Sequence, residues 1–380
     1  MRSDLPFPDD PMRSFLFITD EAYLREDRQG GVQVCTHEYL ELLKATGAPV
    51  AILTARPDRR ITRKVLRRFQ GDYFDRYRFS DLLPEFDRVA RECSATHVFL
   101  NQVSLLGLLP VLREAYPGRF KYVLLSHGNE SGDFLHQVAR SEDPNPFKRL
   151  IDRLRLGSML CHESHAFSRN ADLVLSLSET DYQINRWLGA QDGMVVPRTF
   201  RPEEIGWSPI LGRVGFVGTL DHLPNYAGLI EVLDALVKQE ASGIRVRLVG
   251  GPASIGMRIA ATYPMVDYLG TLDDEGLKQE SASWALFLHP IFWFARGAST
   301  KLASPINWGI PVITTTAGMR GYQWTRGSLI VREKPIHFAE TIAEFAQDLG
   351  GLQSASQDVR EVARSGPDLV ELARRLNTML

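Results

Sequence analysis

The sequence predicts an α/β protein made of two doubly wound, Rossmann-like halves. Three observations predict it. Short runs that are apolar throughout alternate with helical patterns over most of the chain. The alternation pauses once, in a stretch rich in proline and turn residues, and then restarts with the same rhythm. Apolar strands separated by helices are strands covered on both faces, the habit of parallel sheets.

The first half opens with Phe15-Leu-Phe-Ile18, then a helical pattern from Val32 to Thr46 that Gly47 closes. Val50 to Leu53, His97 to Leu100, Tyr122 to Leu125 and Leu173 to Leu177 are the further strands. Ser178 precedes a helical pattern from Glu179 to Leu188, where its hydroxyl suits the N-cap. The pause runs from Pro197 to Gly212. Strands resume at Val214 to Val217, Val246 to Val249, Val266 to Leu269, Ala285 to Leu288 and Pro311 to Thr314. The expected division is an N-terminal domain over 1–200, a linker over 201–212 and a C-terminal domain over 213–356. A helical segment over 357–380 is expected to return to the first domain. In doubly wound sheets ligands bind beyond the carboxyl ends of the strands, so two such halves place the expected site in a cleft between them.

Composition excludes several classes. The 380 residues are 44% hydrophobic and 24% charged, with a formal net charge of −2. That is ordinary globular composition, and no global field points to nucleic acid. Cys35, Cys93 and Cys161 are odd in number and far apart, which argues against a disulfide framework and fits a reducing compartment. The first residues lack an apolar signal-peptide core, and no run is long enough to span a bilayer. A cytoplasmic protein, peripheral to a membrane at most, is expected.

The stretch from Phe294 to Gly321 carries the most chemistry. Gly297 is expected to open a short helix bearing Lys301 and Ser304, with Gly309-Ile310-Pro311 stopping it. Glycine lets backbone approach a ligand closely, a helix N-terminus presents unpaired N–H groups to an anion, and a cation one turn in suits a diphosphate. Arg296 is the candidate bidentate partner and Lys301 the point charge. Gly218 and Thr219 follow a strand and precede a helix, so their N–H groups are candidates for the same anion. Gly30 and Gly31 form the equivalent loop of the first half. His127 ends an apolar strand and leads into Asn129 and Glu130, a place to touch sugar hydroxyls or accept a proton. His162, Glu163 and His165 lack zinc spacing, and no metal cofactor is expected. Arg59, Arg60, Arg63, Lys64, Arg67 and Arg68 crowd a helical pattern whose Val65, Leu66 and Phe69 share one face. That patch is either a solvated face or a site for anionic lipid headgroups. Lys148 to Arg155 adds a second basic patch.

Together these segments resemble GT-B fold glycosyltransferases, closest to the retaining group 1 family that builds bacterial polysaccharides and glycolipids. The residues that carry the resemblance are Val214 to Leu229, Leu248-Val-Gly-Gly251, Val266 to Leu272 and Gly297 to Gly321, in the family's order. Gly30 to Gln33, Ser126-His127-Gly128 and Leu177-Ser178-Glu179 resemble its N-terminal half more loosely. The resemblance implies a nucleotide-diphosphate sugar as co-substrate, a glycan or lipid-linked acceptor, no metal and retention of configuration. It also implies base selection around Tyr268 to Leu272. Arg296 and Ser304 stand where family members carry two glutamates. A nucleotide-sugar epimerase, which shares the architecture, and a degenerate non-catalytic binder remain open alternatives.

Overall fold

The computed structural model describes residues 13–25, 30–58, 74, 76–140, 144–293 and 297–380. The basic run Arg59 to Arg68 and the candidate Arg296 lie outside the described residues. The chain forms two compact units, Met1–Val196 with Asp368–Leu380, and Pro197–Pro367.

The first unit is one parallel sheet with helices. Its strands are β1 (Phe15–Asp20), β2 (Val50–Ala55), β3 (His97–Asn101), β4 (Lys121–Ser126), β5 (Leu173–Ser176) and β6 (Gly193–Val195). They lie in the order β2-β1-β3-β4-β5-β6. β1 and β3 are buried along their whole length, as their unbroken apolar runs predict. β2 sits at the edge, so Ile52 is exposed despite its apolar run. The helices are α1 (Gly31–Ala45), α2 (Phe79–Glu92), α3 (Leu108–Ala115), α4 (Glu130–Arg140), α5 (Pro146–Arg169) and α6 (Glu179–Trp187). Ser178 caps α6 by accepting from the Asp181 N–H at 3.0 Å.

The second unit repeats the plan with β7 (Ile210–Val217), β8 (Arg245–Val249), β9 (Val266–Gly270), β10 (Trp284–Leu288), β11 (Val312–Thr314) and β12 (Ile330–Val331). Their order is β12-β11-β10-β7-β8-β9, again parallel. Its helices are α7 (Leu223–Lys238), α8 (Ala253–Thr262), α9 (Asp274–Ser281), α10 (Ala303–Asn307), α11 (Pro335–Phe345) and α12 (Leu349–Arg364). Trp284, fully buried, packs where Gly215 leaves room: a Cβ on that glycine would lie 1.9 Å from the indole.

Two boundaries differ from expectation. The segment 201–212 is no free linker but a strap bonded onto the second unit. Glu203 N donates to Asn307 O at 2.8 Å, and Ser208 N to Ala282 O at 2.8 Å. The Trp207 indole N–H donates to Trp284 O at 2.8 Å. Proline and turn residues mark irregular backbone, and irregular backbone still needs hydrogen-bond partners. The segment 357–380 is also divided. α12 stays in the second unit, with Val359 and Val362 in its core, while α13 (Leu369–Met379) belongs to the first unit. There Asn377 Nδ2 donates to Thr46 O at 3.1 Å. The Leu380 carbonyl lies 3.2 Å from His97 Nε2.

Candidate active site

In each unit the strand order changes direction once, at a topological switch point where open α/β sheets bind ligands. In the second unit it lies between β7 and β10, which pair directly while β8 and β11 continue on opposite sides. β7 ends at Val217 and leads into Gly218; β10 ends at Leu288 and leads into His289. Polar chemistry gathers there. His289 is buried, with Nδ1 2.9 Å from Thr314 Oγ1 and Nε2 2.8 Å from Ser299 Oγ. Burial, followed by the charges of Lys301 and Arg320, lowers its pKa to about 3, so the ring is neutral at physiological pH. A neutral imidazole with both nitrogens engaged ties the 297–299 loop to the end of β11.

Lys301 is the centre of this arrangement. The residue keeps part of its surface open. Its ammonium end is set in beside Gly218, where a Cβ on that glycine would lie 3.3 Å from Nζ. Burial alone pulls its pKa from 10.5 to about 8. Among the described residues no carboxylate forms a salt bridge with it. A buried cation without a counter-charge is costly unless an anion arrives. The wall opposite is bare backbone. Gly250 has φ +140°, and a Cβ there would lie 1.8 Å from Gly218 O. Its N–H donates to Gly270 O at 2.8 Å, and its carbonyl accepts from the Tyr268 hydroxyl at 2.9 Å.

The other sequence candidates fall differently. Gly297 is buried at φ +66°, outside the helical region, so it does not open a helix. A 3-10 turn, Thr300–Leu302, carries Lys301, and the five-residue α10 carries Ser304. No helix N-terminus therefore stands at Gly297, and Lys301 is carried by the 3-10 turn instead. Gly218 lies beside that lysine, but its N–H is engaged with Val249 O at 3.0 Å; it supplies space rather than a donor. Thr219 is exposed on the same turn. Leu272 packs, half-buried, against the apolar cluster around Trp284 and Phe287. Arg320, which no sequence signal singled out, donates from Nε to Gly297 O at 3.2 Å.

In the first unit the switch point lies between β1 and β3. Asn101, fully buried at the end of β3, donates from Nδ2 to Thr19 Oγ1 and to Thr36 Oγ1, both at 2.8 Å. Its Oδ1 lies 2.8 Å from His127 Nε2. His127 thus sits, buried, just past β4, with its ring 5.5 Å from that of Tyr39. Gln102, which follows Asn101, holds φ +86°, a strained conformation for a side-chain-bearing residue. Asn129 is buried, donates to Asn185 Oδ1 at 2.7 Å, and leaves its own Oδ1 unpaired. Gly30 caps α1 at φ −93° and Gly31 is its exposed first residue, so this glycine pair starts a helix without left-handed backbone.

Glu130 and Ser131 begin α4, and their N–H groups donate to Glu163 Oε1 at 3.0 and 3.2 Å. The Ser131 hydroxyl donates to Glu163 Oε2. Glu163, projecting from α5, is therefore the cap of a neighbouring helix. Burial pushes its pKa up to about 7, against the pull of these hydrogen bonds. His162 lies against Phe74 instead, ring centroids 6.0 Å apart. No cluster of three or more His, Cys, Asp or Glu side chains suited to a metal occurs among the described residues. A cavity of about 550 Å³, lined by Phe74, Phe79, Leu106, His162 and His165, shares no lining residue with the His127 cluster.

Residues 212–348, within the second unit, match the family model described as glycosyl transferases group 1. Among solved structures the chain resembles a sucrose-phosphate synthase from Thermosynechococcus elongatus, at 16% identity and a TM-score of 0.65. That likeness covers 97% of this chain and 98% of the other. It also resembles HepE from Anabaena, solved with UDP and glucose, at 15% identity and TM-score 0.60, covering 96% and 98%. The lipopolysaccharide outer core galactosyltransferase WaaB follows at 13% identity and TM-score 0.59, covering 96% and 98%. No curated protein matches in sequence. The fold is GT-B, and the resemblance to group 1 glycosyltransferases holds in the unit that carries Lys301. Fold and family match together support a sugar-transferring glycosyltransferase.

Proposed function

We propose that this protein transfers a sugar from a nucleotide-diphosphate sugar to a glycan or glycolipid acceptor, with retention at the anomeric carbon. We place it in the cytoplasm, in the synthesis of a bacterial surface polysaccharide. The observation that carries the reading is Lys301, an inset ammonium without a carboxylate partner among the described residues, at the switch point of the second unit. As the bond from the anomeric carbon to the diphosphate breaks, negative charge grows on the leaving phosphate. A preorganised cation in a water-poor site stabilises that charge without any protein nucleophile. Gly218 and Gly250 let the diphosphate approach backbone, and His289 holds the Ser299 loop in place. Gly297, Ser304 and, from outside the described residues, Arg296 complete the donor side in this reading; Thr219 and Leu272 border it. The first unit supplies His127, Asn129 and Glu130 to the acceptor, beside the Gly30-Gly31 turn. The family match to residues 212–348 supports the class of reaction. The solved complex of HepE with UDP makes UDP the first nucleotide to test.

The test is calorimetry with UDP, GDP and dTDP, then turnover with the matching nucleotide sugar. Lys301→Met is expected to weaken diphosphate binding at least about tenfold, the loss of one charge-assisted contact. Because the free lysine titrates near 8, wild-type affinity stays level near pH 7 and falls as pH rises past 8; the variant lacks that fall. Wild-type affinity in folded Lys301→Met would remove the reading. So would epimerisation of the nucleotide sugar without an acceptor.

A further inference from the structure

Hydrogen bonds from neighbouring segments hold the loop that leads into the Lys301 turn. Ser299 is the N-cap residue of that turn, and its side-chain oxygen lies 2.8 Å from His289 Nε2. Arg320 Nε donates to Gly297 O. A further hold comes from Tyr322, whose hydroxyl donates to the Ser299 carbonyl. Tyr322 is 8% exposed, and a buried phenol needs a partner for its hydroxyl. Here the partner is backbone at the start of the turn, so the bond fixes the turn itself rather than one side-chain rotamer. Filling a core asks for a ring and no hydroxyl.

The ring of Tyr322 is fixed in its turn. Phe200 stacks on it, with centroids 5.8 Å apart and planes at 18°. The guanidinium of Arg198, a buried residue, lies 5.9 Å from the same centroid. Arg198 N donates to Gly321 O at 2.9 Å, which pairs this segment with the backbone beside Tyr322. Gly366 lies close against Phe200: a Cβ on that glycine would stand 2.2 Å from Phe200 Cδ2. Pro197 is the first residue of the second unit and Pro367 its last. Phe200 and Gly366 therefore belong to the two segments by which the chain enters and leaves that unit. Both segments pack at one aromatic stack, and the hydroxyl of that stack holds the Lys301 turn.

We propose that Tyr322 is a positioning residue for Lys301. Its hydroxyl sets where the ammonium stands beside Gly218, and Phe200 fixes the ring that carries the hydroxyl. A buried ammonium gains by moving toward water, so the turn beneath it must be held if the charge is to stay inset. A charge already in place meets an anion without further ordering, whereas a loose one spends part of its binding energy on being ordered. This role rests on the donor reading, because the position of Lys301 matters only if a diphosphate meets it.

Calorimetry of the full chain with UDP tests it, in a double-mutant cycle of Tyr322→Phe and Lys301→Met. Tyr322→Phe keeps the ring and its stack and loses the hydroxyl. It is expected to weaken UDP about fivefold, the loss of one hydrogen bond. In the Lys301→Met background the same change is expected to move affinity by less than about twofold, because the charge it positions is gone. Phe200→Leu keeps the hydroxyl and removes the stack. It is expected to weaken UDP about threefold and to lose that effect beside Lys301→Met, and it carries the cycle if Tyr322→Phe lowers the melting temperature. Wild-type affinity in folded Tyr322→Phe overturns the proposal and leaves the donor reading standing. Equal weakening in both backgrounds also overturns it, since the hydroxyl then supports the unit at large and not Lys301. A wild type that binds none of UDP, GDP and dTDP removes the donor reading, and the role of Tyr322 with it.

Discussion

Replacing Glu163 with glutamine isolates one proton. In the native protein this carboxyl is buried, and its pKa stands at about 7 against an ordinary 4.5. Below pH 4.5 it is protonated in both the folded and the unfolded chain, and its contribution is at its most favourable. Between 4.5 and 7 the unfolded chain releases the proton while the native state keeps it, so stability falls as pH rises. Above 7 both states are ionised and the loss is complete. About 2.5 units at 1.36 kcal/mol each gives a total loss of about 3 kcal/mol. Glu163→Gln keeps an oxygen for the N–H groups of Glu130 and Ser131 but has no proton to release. The stability of the variant relative to wild type should therefore climb by about 3 kcal/mol from pH 4.5 to 8. The slope is the observable, whatever offset the amide introduces at low pH. A chain of two units need not unfold in one step, so pulsed hydrogen exchange on peptides of the first unit, across a urea series at each pH, is the assay. Parallel curves for the two proteins across that range refute the reasoning. They would mean that the three hydrogen bonds already hold the carboxylate ionised.

Two further substitutions test the switch points. Gly250→Ala places a Cβ against Gly218 O at a φ that suits glycine alone, and should cost at least about 2 kcal/mol; a wild-type urea midpoint contradicts it. Asn101→Leu leaves the Thr19 and Thr36 hydroxyls and His127 Nε2 without their shared partner. It should destabilise the first unit by about 3 kcal/mol in the same exchange assay, and unchanged protection contradicts it.

Both sheets were legible because parallel strands are buried on both faces and read as unbroken apolar runs. The strands without a sequence signal, Gly193–Val195 and Ile330–Val331, are short edge strands, too brief to show a pattern. The place of His127, buried just past β4, was legible because it follows an apolar run directly. The same signal stands at Thr19, Asn101 and His289, each just inside or after the end of a strand run, and would have pointed to them too. The helix boundary expected at Gly297 was misplaced because glycine marks both helix starts and left-handed turns, and only φ separates them. The role of Glu163 was hidden for a different reason. Its partners begin another helix, more than thirty residues earlier, and no local pattern encodes that contact.

The return of α13 to the first unit has a consequence for the order of synthesis. The ribosome delivers every strand of the first unit, then the entire second unit, before Leu372, Ala373 and Leu376 emerge to be buried. Until then α1 lacks the helix that packs along it, and the carbonyl beside His97 has not been made. The second unit, continuous in sequence, is free to fold while the first is still incomplete. The first unit is translated ahead of the second yet closes after it, and a nascent chain halted before Asp368 presents an apolar seam to chaperones and proteases while the second unit is finished.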